Sequence, residues 1–231
     1  MSEQAFQNVT FPSNGGTAHG YLAVPESGSG PGLVVVQEWW GLDDSLKKVV
    51  DRFAAEGFVA LAPDLYGGRV AHDSDEAGQM LQSLPVEQAT KDLAGSVDFL
   101  LGHDAVTSST LGVVGYCMGG AFALLLAAQE GDRISAAVPY YGVGPGTPES
   151  YAGITAAVQG HYGNQDQMMS ADDARKTEQQ IKDESGADVE FFFYDAGHAF
   201  MNPDDKMGTH VPELAEQAWS RTLEFLRAHV S

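Results

Sequence analysis

Apolar positions along the chain form two kinds of pattern, short runs and longer stretches with helical spacing. Short runs that are apolar throughout, or at every second position, predict β-strands. They lie near Ala5–Phe11, His19–Val24, Leu33–Gln37, Val59–Ala62, Leu111–Gly115, Ala136–Tyr140, Ala156–Gly160 and Val189–Tyr194. Helical spacing of apolar residues predicts helices at Ser45–Glu56, Val86–Leu101, Gly119–Gln129, Ala171–Ser185 and Pro212–Val230.

The order of these elements indicates the fold class. The first two strands are joined by a short link that suggests a hairpin, whereas the later strands alternate with helices. Such alternation predicts an α/β fold with a mostly parallel twisted sheet, right-handed crossovers and helices on both faces. The loosest segments, Glu26–Gly32 and Gly142–Ser150, are too short for domain linkers. We therefore expect one domain over residues 1–231, with its chemistry at the carboxyl ends of the strands.

Charge and cysteine content narrow the class of partner. The 231 residues include 12 Lys and Arg against 32 Asp and Glu, and the net charge of −20 disfavours nucleic acid and anionic membranes. The longest apolar run, Ala121–Ala128, is too short to span a bilayer, and the first residues lack a signal-peptide pattern. The single cysteine, Cys117, excludes an internal disulfide. We expect a cytoplasmic monomer or weak homo-oligomer with a small-molecule substrate.

The surroundings of Cys117 predict a nucleophile. The segment Gly115–Gly120, Gly-Tyr-Cys-Met-Gly-Gly, stands between a strand and a small-residue helix, as in a nucleophile elbow with Cys in place of Ser. Glycine on either side leaves room for a strained turn, and the helix dipole favours a thiolate. The backbone N–H of Met118 would then bind an oxyanion. The alternative is a small buried cysteine packed at the start of a helix.

A cysteine nucleophile requires a base, and a carboxylate must hold that base in place. His198 follows an aromatic strand in a Gly-containing loop and is our candidate base, with His161 at another strand end as the second candidate. Asp166 gives the chain order nucleophile, acid, histidine that is typical of α/β-hydrolases. Asp195, closer to His198 in sequence, is the alternative acid.

Four segments of the chain resemble the dienelactone hydrolases, and the resemblance extends from about Gly20 to the carboxyl terminus. These segments are Gln37–Gly41 (Gln-Glu-Trp-Trp-Gly), Pro63–Tyr66 (Pro-Asp-Leu-Tyr), Gly115–Gly120 and Ala196–Phe200 (Ala-Gly-His-Ala-Phe). The resemblance implies a single-domain α/β-hydrolase that opens lactones or cleaves esters without a cofactor. It also implies that Cys117, Asp166 and His198 form a catalytic triad.

The same resemblance implies further site residues. Glu38 matches a glutamate that interacts with the resting cysteine and helps to activate it when substrate binds. From the residues alone, Glu38 is a carboxylate at a strand end that could accept the thiol proton or cap a turn. The backbone N–H of Trp39 would be the second oxyanion donor. The candidate pocket residues are Trp40, Tyr66 and Phe200, although Trp40 is equally compatible with a core position.

The chain departs from the family pattern where the substrate carboxylate would bind. Dienelactone hydrolases use two arginines there, one a few residues after the catalytic histidine and one in a segment that aligns with residues 75–79. This chain has no arginine from Ala199 to Asn202 and has Gly78 in the other segment, and Arg69 is the nearest spare cation. A buried carboxylate without a partner is costly. We therefore expect a neutral ester or lactone to be the better substrate.

A different class of function stays open. The chain could be a non-enzymatic protein of the same fold that binds an acyl or lactone ligand, or a thiol-based sensor. A sensor usually carries a second, resolving cysteine, which this chain lacks. No pair of histidines has the spacing of metal ligands, so we expect neither a metal nor another cofactor.

Overall fold

The computed structural model describes residues 6–142 and 144–231. It confirms the predicted α/β class, because each of the eight predicted strands and five predicted helices is present. The predicted start of the first strand, at Ala5, lies outside the described residues, as does Val143 in the second predicted loop. The described chain divides into two compact units, the first running to Leu111 and including Ser231, the second spanning Gly112–Val230.

The first unit contains strands in the order β1-β2-β4-β3-β5. Their bounds are β1 (Val9–Ser13), β2 (Gly16–Ala23), β3 (Gly30–Val36), β4 (Val59–Pro63) and β5 (Val106–Tyr116), of which β5 continues into the second unit. Strands β1 and β2 form the predicted antiparallel hairpin, and β2 also pairs antiparallel with β4. Strands β3 and β4 pair in parallel, as the alternation of strands and helices predicted.

Three helices belong to the first unit, α1 (Asp44–Ala55), α2 (Ser74–Gln82) and α3 (Val86–Leu101). Helix α1 begins where the Asp43 carboxylate accepts a hydrogen bond from the backbone N–H of Leu46, and it buries Leu46, Val50 and Phe53. Helix α2 is absent from the sequence prediction, because only Ala77 and Met80 are buried along its nine residues. No helix in the described residues combines the length and apolar character that crossing a bilayer requires.

The second unit contains the strand order β5-β6-β7-β8. Its elements are α4 (Met118–Glu130), β6 (Ile134–Tyr140), β7 (Ala157–Gly163), α5 (Ala171–Ser185), β8 (Val189–Tyr194) and α6 (Pro212–His229). Strands β6, β7 and β8 pair in parallel, so their carboxyl ends lie at one edge. Helix α4 is buried on almost every face and follows β5 after a single residue, Cys117.

A polar cluster is buried in the core of the second unit, around His161 of β7. Its Nδ1 atom lies 2.8 Å from the Tyr194 hydroxyl, and its Nε2 atom lies 3.1 Å from the Thr222 hydroxyl. The Thr222 hydroxyl also lies 2.5 Å from that of Tyr140, whose ring stacks on the imidazole. Buried polar groups of this kind stabilise a fold only when all of them have partners. The cluster therefore links β6, β7, β8 and α6 in one arrangement.

Replacing Thr222 with valine keeps the shape of the side chain but removes the hydroxyl that serves Tyr140 and His161. We expect Thr222→Val to lower the free energy of unfolding by about 1–3 kcal/mol, because buried polar groups lose a partner. Urea titration followed by circular dichroism measures the change. The exposed Thr107 of β5 provides a matched control, and Thr107→Val should change stability by less than about 0.5 kcal/mol. Equal effects of the two substitutions would contradict a structural role for the cluster.

Candidate active site

Cys117 occupies the turn between β5 and α4 in a conformation that few residues adopt. Its φ is 54° and its ψ is −122°, a strained combination for any residue with a side chain. A Cβ atom on Gly115 would lie 1.8 Å from the carbonyl oxygen of Gly119, so the turn requires glycine at position 115. Met118 is the first residue of α4, where backbone N–H groups point out of the helix end. The predicted elbow geometry is therefore present.

His198 and Asp166 are hydrogen-bonded to each other in the same unit. The Nδ1 atom of His198 lies 2.7 Å from Oδ2 of Asp166, and both side chains are almost wholly buried. The other carboxylate oxygen, Oδ1, accepts the backbone N–H groups of Met168 and Met169 at 2.7 and 3.0 Å. These contacts fix the carboxylate, and the carboxylate in turn fixes the orientation of the imidazole. Asp166 follows β7 and His198 follows β8, so adjacent parallel strands bring the pair together.

The surroundings of the His198 imidazole favour its protonated form. Burial alone would lower its pKa, but the hydrogen bond to Asp166 and the interaction with the Cys117 side chain outweigh burial and raise the pKa to about 10. The Nε2 atom has no hydrogen-bond partner of standard geometry among the described residues. The ring thus has one nitrogen fixed by a carboxylate and the other available for proton transfer on the side of Cys117.

The two alternative residues have different surroundings. His161 is fully buried with both ring nitrogens engaged, and burial together with the Arg221 charge lowers its pKa to about 3. It is therefore a neutral core residue at neutral pH, with both ring nitrogens occupied by hydroxyl groups. Asp195 is exposed and accepts a hydrogen bond from the Gln165 amide at 2.6 Å. The described geometry thus brings Asp166, and not Asp195, to His198.

Tyr141 is a neighbour of His198 that the sequence analysis did not identify. Its ring centroid lies 5.0 Å from that of the imidazole, and its side chain has no exposed surface. The backbone φ of 39° is unusual for tyrosine. Its position directly after β6, at the edge where the other strand ends carry Asp166 and His198, was the only available signal.

Phe200, which was predicted to line a substrate pocket, is fully buried in the second unit. Its ring has no exposed surface and packs against Tyr141 and Tyr194, with centroid distances of 5.8 and 5.0 Å. The side chain is part of the core of the second unit. Its role in a substrate pocket stays a prediction.

The remaining predicted residues belong to the first unit. Glu38 is buried, and its carbonyl accepts the N–H of Gly41 at 3.3 Å in the turn after β3. Trp39 is half-buried and Trp40 buried, and their rings meet edge to face at 5.3 Å. Tyr66 lines a cavity of about 290 Å³ within this unit. Their roles in binding and catalysis stay predictions.

Arg69 lines the same cavity of the first unit. It is exposed and makes no ion pair with any residue that the structure describes. The wall also carries Asp64 and Asp92, so the cavity is not cationic as a whole. Among the described residues, no group of three or more His, Cys, Asp and Glu side chains is arranged to hold a metal ion.

Comparison with known proteins gives consistent matches over nearly the whole chain. The model of the dienelactone hydrolase family matches residues 18–230. Protein usf of Aquifex pyrophilus is 33% identical over 97% of this chain and 99% of its own length. A carboxymethylenebutenolidase of a Pseudomonas species is 30% identical over 96% of this chain and 94% of its own. A crystal structure of a Klebsiella pneumoniae protein assigned as a dienelactone hydrolase is 27% identical, with a TM-score of 0.83 over 98% of both chains. The expected α/β-hydrolase fold is confirmed.

The raised pKa of His198 has a direct test. Because the hydrogen bond to Asp166 favours the protonated ring, we expect Asp166→Asn to lower the pKa of His198 from about 10 towards its ordinary value. Titration of the ring nitrogens by nitrogen-15 NMR measures the midpoint. Asp195→Asn removes a carboxylate of the same type that does not contact His198 and should leave the midpoint unchanged. A midpoint that stays the same in Asp166→Asn would contradict the assigned cause.

Proposed function

The chain belongs to the dienelactone hydrolase family, and we propose that it cleaves a lactone or carboxylic ester through a thioester on Cys117. Family membership identifies the protein as a carboxylic ester hydrolase. The observation that carries the proposed thioester mechanism is the arrangement of the second unit. It contains a cysteine in a strained elbow and a buried, hydrogen-bonded His198–Asp166 pair. A buried imidazole hydrogen-bonded to a buried carboxylate is the arrangement that a general acid–base group requires.

In the first half of the proposed reaction, the Cys117 sulfur attacks the carbonyl carbon and the carbonyl electrons move to its oxygen. The backbone N–H groups of Met118 and Trp39 are the proposed donors to that oxyanion. The tetrahedral intermediate collapses, the C–O bond of the ester breaks, and protonated His198 gives its proton to the leaving alkoxide. The acyl group then remains on Cys117 as a thioester.

In the second half, water replaces the alcohol. Neutral His198 takes a proton from water, and the resulting hydroxide attacks the thioester carbonyl. The C–S bond breaks and the acid product leaves. The proton taken from water stays on His198, so the Cys117–His198 pair is back in its starting state. Asp166 keeps Nδ1 of the ring engaged throughout, so that Nε2 carries the proton in both directions.

The proposed substrate is a neutral ester or lactone rather than an anionic dienelactone. The support is the absence of both family arginines, together with the strongly acidic composition of the chain. A net charge of −20 repels an anion before it reaches the site, and a carboxylate without a cationic partner is costly to bury. Arg69 is the cation that could reverse this preference, because it lines a cavity and has no ion-pair partner within the described chain.

Initial rates on a neutral p-nitrophenyl ester and on an authentic dienelactone test the proposal. We expect a higher kcat/KM on the neutral ester, a loss of at least about 1,000-fold in Cys117→Ala, and an acyl adduct on Cys117 in mass spectra of the quenched wild type. Asp195→Asn is the control and should retain activity. Preference for the dienelactone that disappears in Arg69→Gln would overturn the substrate assignment. Absence of hydrolysis across a broad ester panel, with ligand binding intact, would favour a binding protein.

Glu38 enters the proposal through the family resemblance, as the carboxylate that helps to activate Cys117. We expect Glu38→Gln to slow acylation about tenfold or more, because Glu38 is assigned to activating Cys117 before its attack, and to leave deacylation largely unchanged. Stopped-flow measurement of the p-nitrophenolate burst separates the two steps. If both steps slow equally, or neither does, Glu38 is a structural residue of the turn after β3.

A further inference from the structure

A side chain eleven residues after His198 contacts the backbone of that residue. The Thr209 hydroxyl donates a hydrogen bond to the carbonyl oxygen of His198. His198 lies four residues after the end of β8, and Thr209 lies three residues before the start of α6. The hydrogen bond therefore joins the outgoing and returning arms of the long connection between β8 and α6.

The rest of this connection is folded back in the same manner. The backbone N–H of Val211 donates to the carbonyl of Phe200 at 3.2 Å, and Nδ1 of His210 lies 2.9 Å from the same oxygen. The returning arm thus contacts the carbonyl groups of His198 and Phe200 through three consecutive residues, Thr209, His210 and Val211. Among these contacts, the one made by Thr209 is the one at the candidate base itself.

Thr209 also fixes the residue before His198. A Cβ atom on Gly197 would lie 2.9 Å from the Thr209 methyl group, so the methyl packs directly against the backbone there. The residue after His198, Ala199, has a φ of 58°, a left-handed conformation that is strained for a residue with a side chain. A strained backbone keeps its conformation only when neighbouring contacts hold it. Thr209 supplies such contacts at positions 197 and 198.

We propose that Thr209 is a positioning residue that holds the His198 backbone so that the imidazole faces Asp166 and Cys117 together. The inference rests on the proposed function, because it assigns a role in the same reaction. Thr209 acts through His198 and does not contact the reacting atoms. A small displacement of a catalytic group lowers the rate steeply, whereas binding of the substrate depends on it little.

Two substitutions separate the parts of the Thr209 side chain. Thr209→Val keeps the methyl contact and removes the hydroxyl, and Thr209→Ser keeps the hydroxyl. We expect Thr209→Val to lower kcat about tenfold with KM within about twofold, and to lower the pKa of His198 in the NMR titration. Thr209→Ser should recover most of kcat. Thr90, whose hydroxyl donates to a carbonyl within α3, is the matched control, and Thr90→Val should leave both readings unchanged.

The experiment distinguishes failure of this inference from failure of the proposed function. If the wild type forms no acyl adduct, the proposed function fails, while the NMR titration of His198 still tests the contact. An unchanged kcat and pKa in Thr209→Val, or a serine variant as impaired as the valine variant, overturns the positioning role. If Thr209→Val does not fold, Gly197→Ala tests the same contact from the other side, because its new methyl displaces Thr209. A fully active Gly197→Ala would then contradict the proposal.

Discussion

The hydrogen bond between His198 and Asp166 is the interaction on which the candidate site depends. It joins the ends of two adjacent parallel strands, and it forms only because β7 and β8 pair in a register that brings those ends level. The two backbone N–H groups on the other Asp166 oxygen, the Thr209 contact and the ring of Tyr141 all surround this one pair. The second unit is thus organised to hold one buried imidazole in one orientation.

Two buried histidines of the same unit show why burial alone does not determine the charge of a side chain. His161 is surrounded by hydroxyl and amide groups and has the Arg221 charge nearby, so its pKa falls and the ring is neutral. His198 is almost as buried but faces a carboxylate and a cysteine, and its pKa rises. Burial and a nearby cation keep the first ring neutral. The Asp166 carboxylate favours the protonated form of the second ring, which suits it to proton transfer.

Much of the fold could be predicted from the sequence, because buried strands and amphipathic helices leave regular apolar patterns. The elbow at Cys117 was also predictable, since its glycines follow from steric limits that act within a few residues. Helix α2 left too weak a pattern, and the ring contacts of Tyr141 and Phe200 and the hydrogen bond of Thr209 depend on pairings between distant segments. Asp166 was predictable from chain order, but the backbone groups that hold its carboxylate were not.

The three candidate catalytic side chains are attached to different kinds of element in the unit. Cys117 lies between β5 and the wholly buried α4, whereas Asp166 and His198 lie in connections beyond the strand ends. Local openings of such connections cost less free energy than unfolding of a core helix. On heating, we therefore expect the imidazole and its carboxylate to separate from Cys117 before the sheet unfolds. The proposed reaction would then cease at a lower temperature than the loss of secondary structure, and it would return on cooling without refolding of the sheet.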